Sequence, residues 1–271
     1  MNPKINSEWN IWPNHVVQYL KSCDEFSNSD EKFNTFKQDE RYKLILEHIS
    51  KAESDIFVSE MKDSCNLSDE QIEKFRENDL YGTPTICDYE RFGKMSPSTI
   101  RYIKNTLDIF NFIGDKNIKN IVEIGGGYGG LCKTMSVLFD FDNYVLIDLP
   151  ECNKLSNKYL SKFEELSGKT NQYSFDEFEE IENVDLVISN YAFSECSRTV
   201  QEMYYNNVIL NSDYFYMVYN NNVNECNMTP QANTNYNPDS FLEMSSNDFE
   251  IVVEEEVRHS HTNYIYYATK K

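Results

Sequence analysis

Residues 118–130 read IKNIVEIGGGYGG. The apolar run Ile121-Val122-Glu123-Ile124 has the composition of a buried parallel strand. It breaks into Gly125-Gly126-Gly127-Tyr128-Gly129-Gly130, and a helical pattern follows at Leu131, Met135 and Leu138. Strand, glycine turn and helix in that order restrict the chain to a few α/β architectures. Glycines allow positive φ and let a ligand come against the main chain. The helix that follows offers N–H groups with no intrahelical partner.

Two ligands compete for such a turn. Gly125, Gly127 and Gly130 fit G-x-G-x-x-G, the dinucleotide fingerprint. Glu123, Gly125, Gly127 and Gly129 fit E-x-G-x-G-x-G, the pattern of S-adenosylmethionine (SAM) sites. A carboxylate where the strand opens would repel a pyrophosphate and attract the ammonium of a methionine moiety. Asp148 ends the next strand, Tyr144–Asp148, and could take the ribose hydroxyls of either cofactor.

From Ile118 onward the chain alternates regularly. Strands are expected at 119–124, 144–148, 170–174, 184–189, 214–220, 249–257 and 262–269, and helices at 129–139, 151–166, 197–209 and 239–246. Alternating β and α argues for a parallel, doubly wound sheet. The last two strands are separated only by a short turn near His259, which requires an antiparallel hairpin. A parallel sheet closed by one such hairpin suits a class I methyltransferase better than a dinucleotide-binding domain. The expectation is therefore a seven-stranded Rossmann-like sheet over residues 114–271, preceded by a helical region over 1–113.

Within 1–113, Trp9, Trp12, Val16 and Tyr19 space like one helical face, and Tyr42, Leu44, Ile45 and Ile49 suggest a helix over 38–49. Ser68-x-x-Gln71 is a capping box. Ser96-Pro97 opens a helix that Gly114 stops. Arg91, Lys94, Arg101 and Lys104 form a basic island with no acidic residue between Arg91 and Lys104. It reads either as a solvated helix face or as an anion site for a cofactor carboxylate or a nucleotide-sugar diphosphate. The helical region itself could be a lid or a homodimer interface.

Composition limits the partners. With 25 basic and 45 acidic residues the formal net charge is −20, which disfavours nucleic acid and anionic membranes. No apolar run approaches the ~20 residues that span a bilayer. The N-terminus, MNPKINSEWN, has no apolar core of a signal peptide, so the expected location is cytoplasmic. Seven scattered cysteines without a C-x-x-C indicate a reducing compartment and no zinc site.

Open α/β sheets bind ligands at the carboxyl ends of their strands. There the sequence places Glu123 with its glycines, Asp148-Leu149, Ser174-Phe175-Asp176, Ser189 to Glu195, Asn220, and finally His259 and His261. For methyl transfer to a hydroxyl, a general base must take the proton, because a sugar hydroxyl has a high pKa. The base candidates are Glu195, His259 and His261. No metal triad is visible, although carboxylates near the site could hold a Mg ion with water. The Asn-rich stretch from 220 to 237 reads as a surface loop or a substrate lid.

Several segments also resemble the family of sugar O-methyltransferases. They are Asn78-Asp79 with Tyr81-Gly82 and Pro84, then SPSTIRY from Ser96, VEIGGGYGG from Val122, IDLPE from Ile147 and ISNYAFSE from Ile188. The resemblance runs from about residue 75 to the C-terminus. It implies SAM as methyl donor and a hydroxyl of a sugar, nucleotide sugar or glycan precursor as acceptor. It implies that Glu123, Gly125, Gly127, Asp148 and Asn190 lie at the cofactor, covered by the Arg101-Tyr102 helix; Tyr128 in the glycine turn and Leu149, Ser174 and Phe175 at the strand ends are further cofactor candidates. It implies that Tyr191, Glu195, Gln201 and Tyr205 lie toward the acceptor, where Asn220 at its strand end is a further candidate. Three other readings stay open: a methyltransferase with a non-sugar acceptor, an NAD-dependent sugar dehydrogenase or epimerase, and a non-catalytic protein of the same fold. The dehydrogenase usually relies on Tyr-x-x-x-Lys, which Tyr102, Tyr128, Tyr144 and Tyr191 do not supply.

Overall fold

The structure is a computed structural model and describes residues 13–61, 67–177, 180–220, 237–257 and 262–271. The first elements among the described residues are helices α1 (Asn14–Asn28), α2 (Asp30–Phe33), α3 (Glu40–Lys43), α4 (Lys51–Glu60) and α5 (Asp69–Arg76). A small hairpin, β1 (Cys87–Tyr89) and β2 (Gly93–Met95), leads to helix α6 (Pro97–Ile113). Then come β3 (Asn120–Ile124), α7 (Gly130–Leu138), β4 (Asn143–Asp148), α8 (Pro150–Leu160), β5 (Thr170–Ser174) and β6 (Val184–Asn190). Helices α9 (Ala192–Glu195) and α10 (Arg198–Asn207), β7 (Ser212–Tyr219), α11 (Pro238–Ser245), β8 (Phe249–Val257) and β9 (Thr262–Lys270) complete it.

The main sheet has the order β5-β4-β3-β6-β7-β9-β8. Its first five strands pair in parallel. β9 inserts antiparallel between β7 and β8. This is the doubly wound, Rossmann-like sheet closed by a hairpin that the alternation in the sequence requires. The order turns back at β3 and β6, so the crevice at a switch point lies above those two strands.

Each face of the sheet has its own core. Ile121, Tyr144, Leu146, Leu186, Ile188 and Tyr216 face α6, α7 and α8, and the same core takes in Tyr19, Phe26, Phe36 and Tyr42 from the N-terminal helices. Val122, Val145, Val187, Phe215 and Met217 face the other way, against α10 and α11. A third cluster packs α4, α5 and the small hairpin against the outer side of α6. Helix α6 is therefore covered on both sides.

That packing corrects the solvated-face reading of the basic island. Arg101 is 6% and Lys104 is 5% exposed. Lys104 is held by Asp108 one turn along, at 2.7 Å. The helix expected over 38–49 is also shorter. Only Glu40–Lys43 is helical, with Asp39 capping its start by accepting from the Arg41 N–H. Leu44 is 62% exposed while Leu46 packs on the core, which breaks the expected apolar stripe. The expected helix over 151–166 ends at Leu160, and a separate single turn spans Glu164–Leu166. The capping box at Ser68 and Gln71 forms with both of its hydrogen bonds. Helix α4 and the hairpin at 87–95 have no counterpart in the sequence reading. Trp9, Trp12 and most of the Asn-rich stretch lie outside the described residues.

Candidate cofactor-binding and catalytic site

The turn after β3 needs its glycines. Gly125, Gly127 and Gly129 all have positive φ, at 80°, 56° and 89°. A Cβ at Gly125 would collide with Ala192, which places the Asn190-Tyr191-Ala192 corner directly against the turn. A Cβ at Gly127 would come within 2.9 Å of the Leu46 side chain. The N-terminal region thus reaches over the glycine turn from above.

Three strand tips converge there. Glu123 is buried on β3, and its Oε2 accepts from the Tyr144 hydroxyl at 2.8 Å. Burial pushes its carboxyl up to about 8, against the Tyr144 hydrogen bond and with help from Asp148. Asp148 at the tip of β4 accepts from the Gly127 N–H at 2.8 Å and from the Leu149 N–H at 2.7 Å. Burial pushes it up to about 6. Ser174 pairs beside Asp148, and the Phe175 N–H donates to the Asp148 carbonyl at 3.3 Å. On β6, both polar side-chain atoms of Asn190 are buried without a hydrogen-bond partner. An orphaned amide costs about 1–3 kcal/mol, which a polar ligand at this strand end would offset.

Helix α6 closes the crevice from the side. Burial works against the charge of Arg101, and Tyr102, Tyr191 and Glu47 outweigh it. The segments carrying the family resemblance meet at the start of this helix. Asp79 accepts from the Ser96 N–H at 2.6 Å and from the Ser96 and Thr99 hydroxyls at 2.7 Å. Asn78 donates to Thr99 Oγ1 and to the Tyr128 hydroxyl and accepts from the Tyr159 hydroxyl at 2.7 Å. Tyr128 is fully buried in this network, with the Lys37 ammonium 4.5 Å from its ring centre. Its side chain is engaged by the protein, while its backbone belongs to the turn.

Beside the crevice stands a second polar group. Tyr191 has φ 70° and ψ −40°, a strained backbone for a residue with a side chain. Its hydroxyl donates to the Glu256 carboxylate at 2.8 Å, and Asn263 donates to the same oxygen at 2.9 Å. Glu256 is 2% exposed. Nothing in the sequence distinguishes it from Glu254 and Glu255; alternation along β8 sets it apart from Glu255, and the Tyr191 and Asn263 side chains over it set it apart from Glu254, which shares its face. The Ser194 hydroxyl donates to the Tyr191 carbonyl at 2.6 Å and accepts from the Asn220 N–H at 3.1 Å, so Asn220 is tied to the same corner. Glu195 lies half-buried at the end of α9. His259 and His261 lie outside the described residues.

Of two further residues expected near the acceptor, Gln201 packs directly behind the Tyr191–Glu195 corner and Tyr205 sits elsewhere. Gln201 is fully buried on the far face and donates to the Phe193 carbonyl at 2.9 Å and to the Tyr219 hydroxyl at 3.1 Å. Tyr205 donates to Asp248 at 2.8 Å, just before β8 begins and therefore at the opposite end of the sheet. Among the described residues no group of three or more His, Cys, Asp or Glu could hold a metal ion. No described helix is long and apolar enough to cross a membrane.

No family model and no curated protein matches the chain. Solved structures do. TrmK from M. capricolum, solved with S-adenosyl-homocysteine, is 14% identical over 63% of this chain and 68% of its own, with a TM-score of 0.44. The pyocyanin biosynthetic protein PhzM is 11% identical over 64% of this chain and 56% of its own, at 0.46. The N-methyltransferase NodS from Bradyrhizobium japonicum is 9% identical over 62% of this chain and 94% of its own, at 0.47. The β5-β4-β3-β6-β7-β9-β8 order itself is that of a Rossmann-like sheet closed by an antiparallel hairpin.

Proposed function

We propose that the chain is a SAM-dependent O-methyltransferase acting on a hydroxyl of a sugar, nucleotide sugar or glycan precursor. The observation that carries the cofactor is the pairing of a buried carboxylate on β3 with an orphaned amide on β6 across a glycine turn. A dinucleotide would bring its pyrophosphate to the helix start, beside two carboxylates. A zwitterionic amino acid suits Glu123 and Asn190 instead, and Asp148 suits ribose hydroxyls. The sulfonium of SAM supplies an activated methyl group. The residues of this chain must then hold the acceptor oxygen in line with that methyl and remove its proton.

Tyr191 is the residue best placed to meet the acceptor, because its corner touches the turn at Gly125. Its phenol is polarised by Glu256. Glu195, His259 and His261 remain the candidates for the base that takes the proton. The sugar itself is inferred from the SPSTIRY and SNYAFSE segments and from the polar corner at Tyr191, Asn220 and Asn263.

Calorimetric titration with S-adenosylhomocysteine and, separately, with NAD tests the cofactor. The homocysteine product alone should bind. Binding of NAD alone would overturn the reading in favour of a dehydrogenase, and silence from both would favour a non-catalytic protein. Methyl transfer from labelled SAM to a panel of nucleotide sugars, with and without magnesium, then tests the acceptor class.

A further inference from the structure

The N-terminal region holds polar groups that its own structural role does not use. Glu47 Oε1 is buried without a hydrogen-bond partner, and so is the Tyr42 hydroxyl. Both belong to the short segment whose Leu46 packs on Gly127. Lys37 is already committed, donating to the Asn78 carbonyl at 2.7 Å and lying 3.9 Å from Asp79. Glu47 instead faces Ser98 and Arg101 on α6 as well as Lys37, and burial raises its carboxyl against them. Arg101 in turn faces both Glu47 and Tyr191. It therefore bridges the N-terminal segment and the tip of β6, where the Asn190 amide is orphaned.

A buried carboxylate facing a buried guanidinium across a crevice, with oxygen left over, matches a zwitterion. We propose that Glu47 and Arg101 form a clamp for the amino-acid end of the cofactor, Glu47 taking the α-ammonium and Arg101 the α-carboxylate. This rests on the SAM reading of the glycine turn. An ammonium has three N–H donors, so Glu123 from the sheet side and Glu47 from the N-terminal side can both accept from it. Tyr102 on α6 faces both Glu47 and Glu123, which brings the two carboxyls to one part of the crevice. The clamp gives the N-terminal region a binding role beyond covering the core.

Two probes isolate that end of the ligand: S-adenosylhomocysteine and 5′-methylthioadenosine, which keeps the nucleoside and thioether but lacks the amino acid. Titrated into the full chain, Glu47→Gln should weaken the first about tenfold or more and leave the second within about twofold. Glu47→Asp, which keeps the charge but withdraws it by one methylene, should fall between. Retained methylthioadenosine binding shows that the variant is folded. Equal loss of both ligands would overturn the clamp and make Glu47 an element of the fold, and so would no change in either. If the wild-type chain binds neither probe, the cofactor reading fails and the clamp with it. Normal wild-type binding with an indifferent Glu47→Gln sinks the clamp alone.

Discussion

The two faces of the sheet bury polar groups on different terms. On the face covered by α10 and α11, Gln201 makes two hydrogen bonds, Tyr205 reaches Asp248, the Tyr266 hydroxyl donates to the Pro238 carbonyl, and Ser189 donates to the Ile124 carbonyl. On the face covered by α6, α7, α8 and the N-terminal region, Asn190, Glu47 and Tyr42 keep buried polar atoms without partners. Two carboxyls there are held well above their ordinary range. A face built only for stability satisfies what it buries. Other unpartnered atoms on the side of α6, α7, α8 and the N-terminal region belong to Arg76, Asn105, Asn153 and Gln172, and the proposed site takes in Asn190 and Glu47.

The sharpest way to break that contrast is to remove the carboxylate on the ligand face. Glu123→Ala should weaken S-adenosylhomocysteine binding about a hundredfold or more, the loss of a charged hydrogen bond in a desolvated site. The variant should still melt cooperatively, at a cost of about 1–3 kcal/mol for the Tyr144 hydroxyl it leaves without an acceptor. Binding that survives Glu123→Ala would move the ammonium site elsewhere.

A matched pair comes next. Gln201→Leu leaves the Phe193 carbonyl and the Tyr219 hydroxyl without their donor, and should cost about 2 kcal/mol of stability in denaturant titrations. Affinity for S-adenosylhomocysteine should stay unchanged. Asn190→Leu should do the reverse. It removes no hydrogen bond within the protein, so stability should hold or rise, while affinity falls about tenfold. If Asn190→Leu destabilises as Gln201→Leu does, the two faces are alike.

How much of this was legible in the sequence follows the range of the interactions. The strands over 120–148 and 184–219 were readable because an apolar run declares itself within a few residues. The glycine turn was readable because positive φ restricts the residue type. The Tyr191–Glu256 contact joins residues 65 apart in sequence, and three consecutive glutamates give no local sign of which one turns inward. Glu47 was hidden for a similar reason. Its segment is a single helical turn followed by irregular chain, shaped by contact with Gly127 and not by periodicity. Arg101 and Lys104 stayed open between a solvated face and an anion site because the layer of α4, α5 and the hairpin that covers the outer side of their helix had no motif to announce it.

Acidity offers a third test of the ligand face. Glu123 and Asp148 are held up to about 8 and about 6, above ordinary values of 4.5 and 3.8. The folded chain therefore keeps protons that the unfolded chain has released. That contribution to stability is complete below the unfolded values and is lost as pH climbs through 6 and then 8. The groups facing Glu123 are Tyr144 and Asp148 from β4, Cys132 from α7 and Tyr102 from α6, none of them a cation. A bound ammonium would be the first, so ligand binding should release a proton. Affinity for S-adenosylhomocysteine should then rise about tenfold between about pH 6.5 and 7.5. The proton should appear as a binding enthalpy that varies with the ionisation enthalpy of the buffer. A flat profile would mean that Glu123 does not meet the charge.

The smallest effect bears on the other face. Tyr205 stands among residues whose resemblance points to the acceptor, yet its hydroxyl is spent on Asp248 at the far end of the sheet, and its ring packs near Phe241. Tyr205→Phe keeps the ring and deletes one partly buried hydrogen bond, so about 1 kcal/mol of stability should be lost. Cofactor affinity and any methyl transfer should be indifferent to it, because the deleted bond to Asp248 lies at the end of the sheet opposite the glycine turn. A fall in transfer rate with melting temperature unchanged would place this face in the acceptor site. The division of labour between the two faces would then be wrong where it looks most secure.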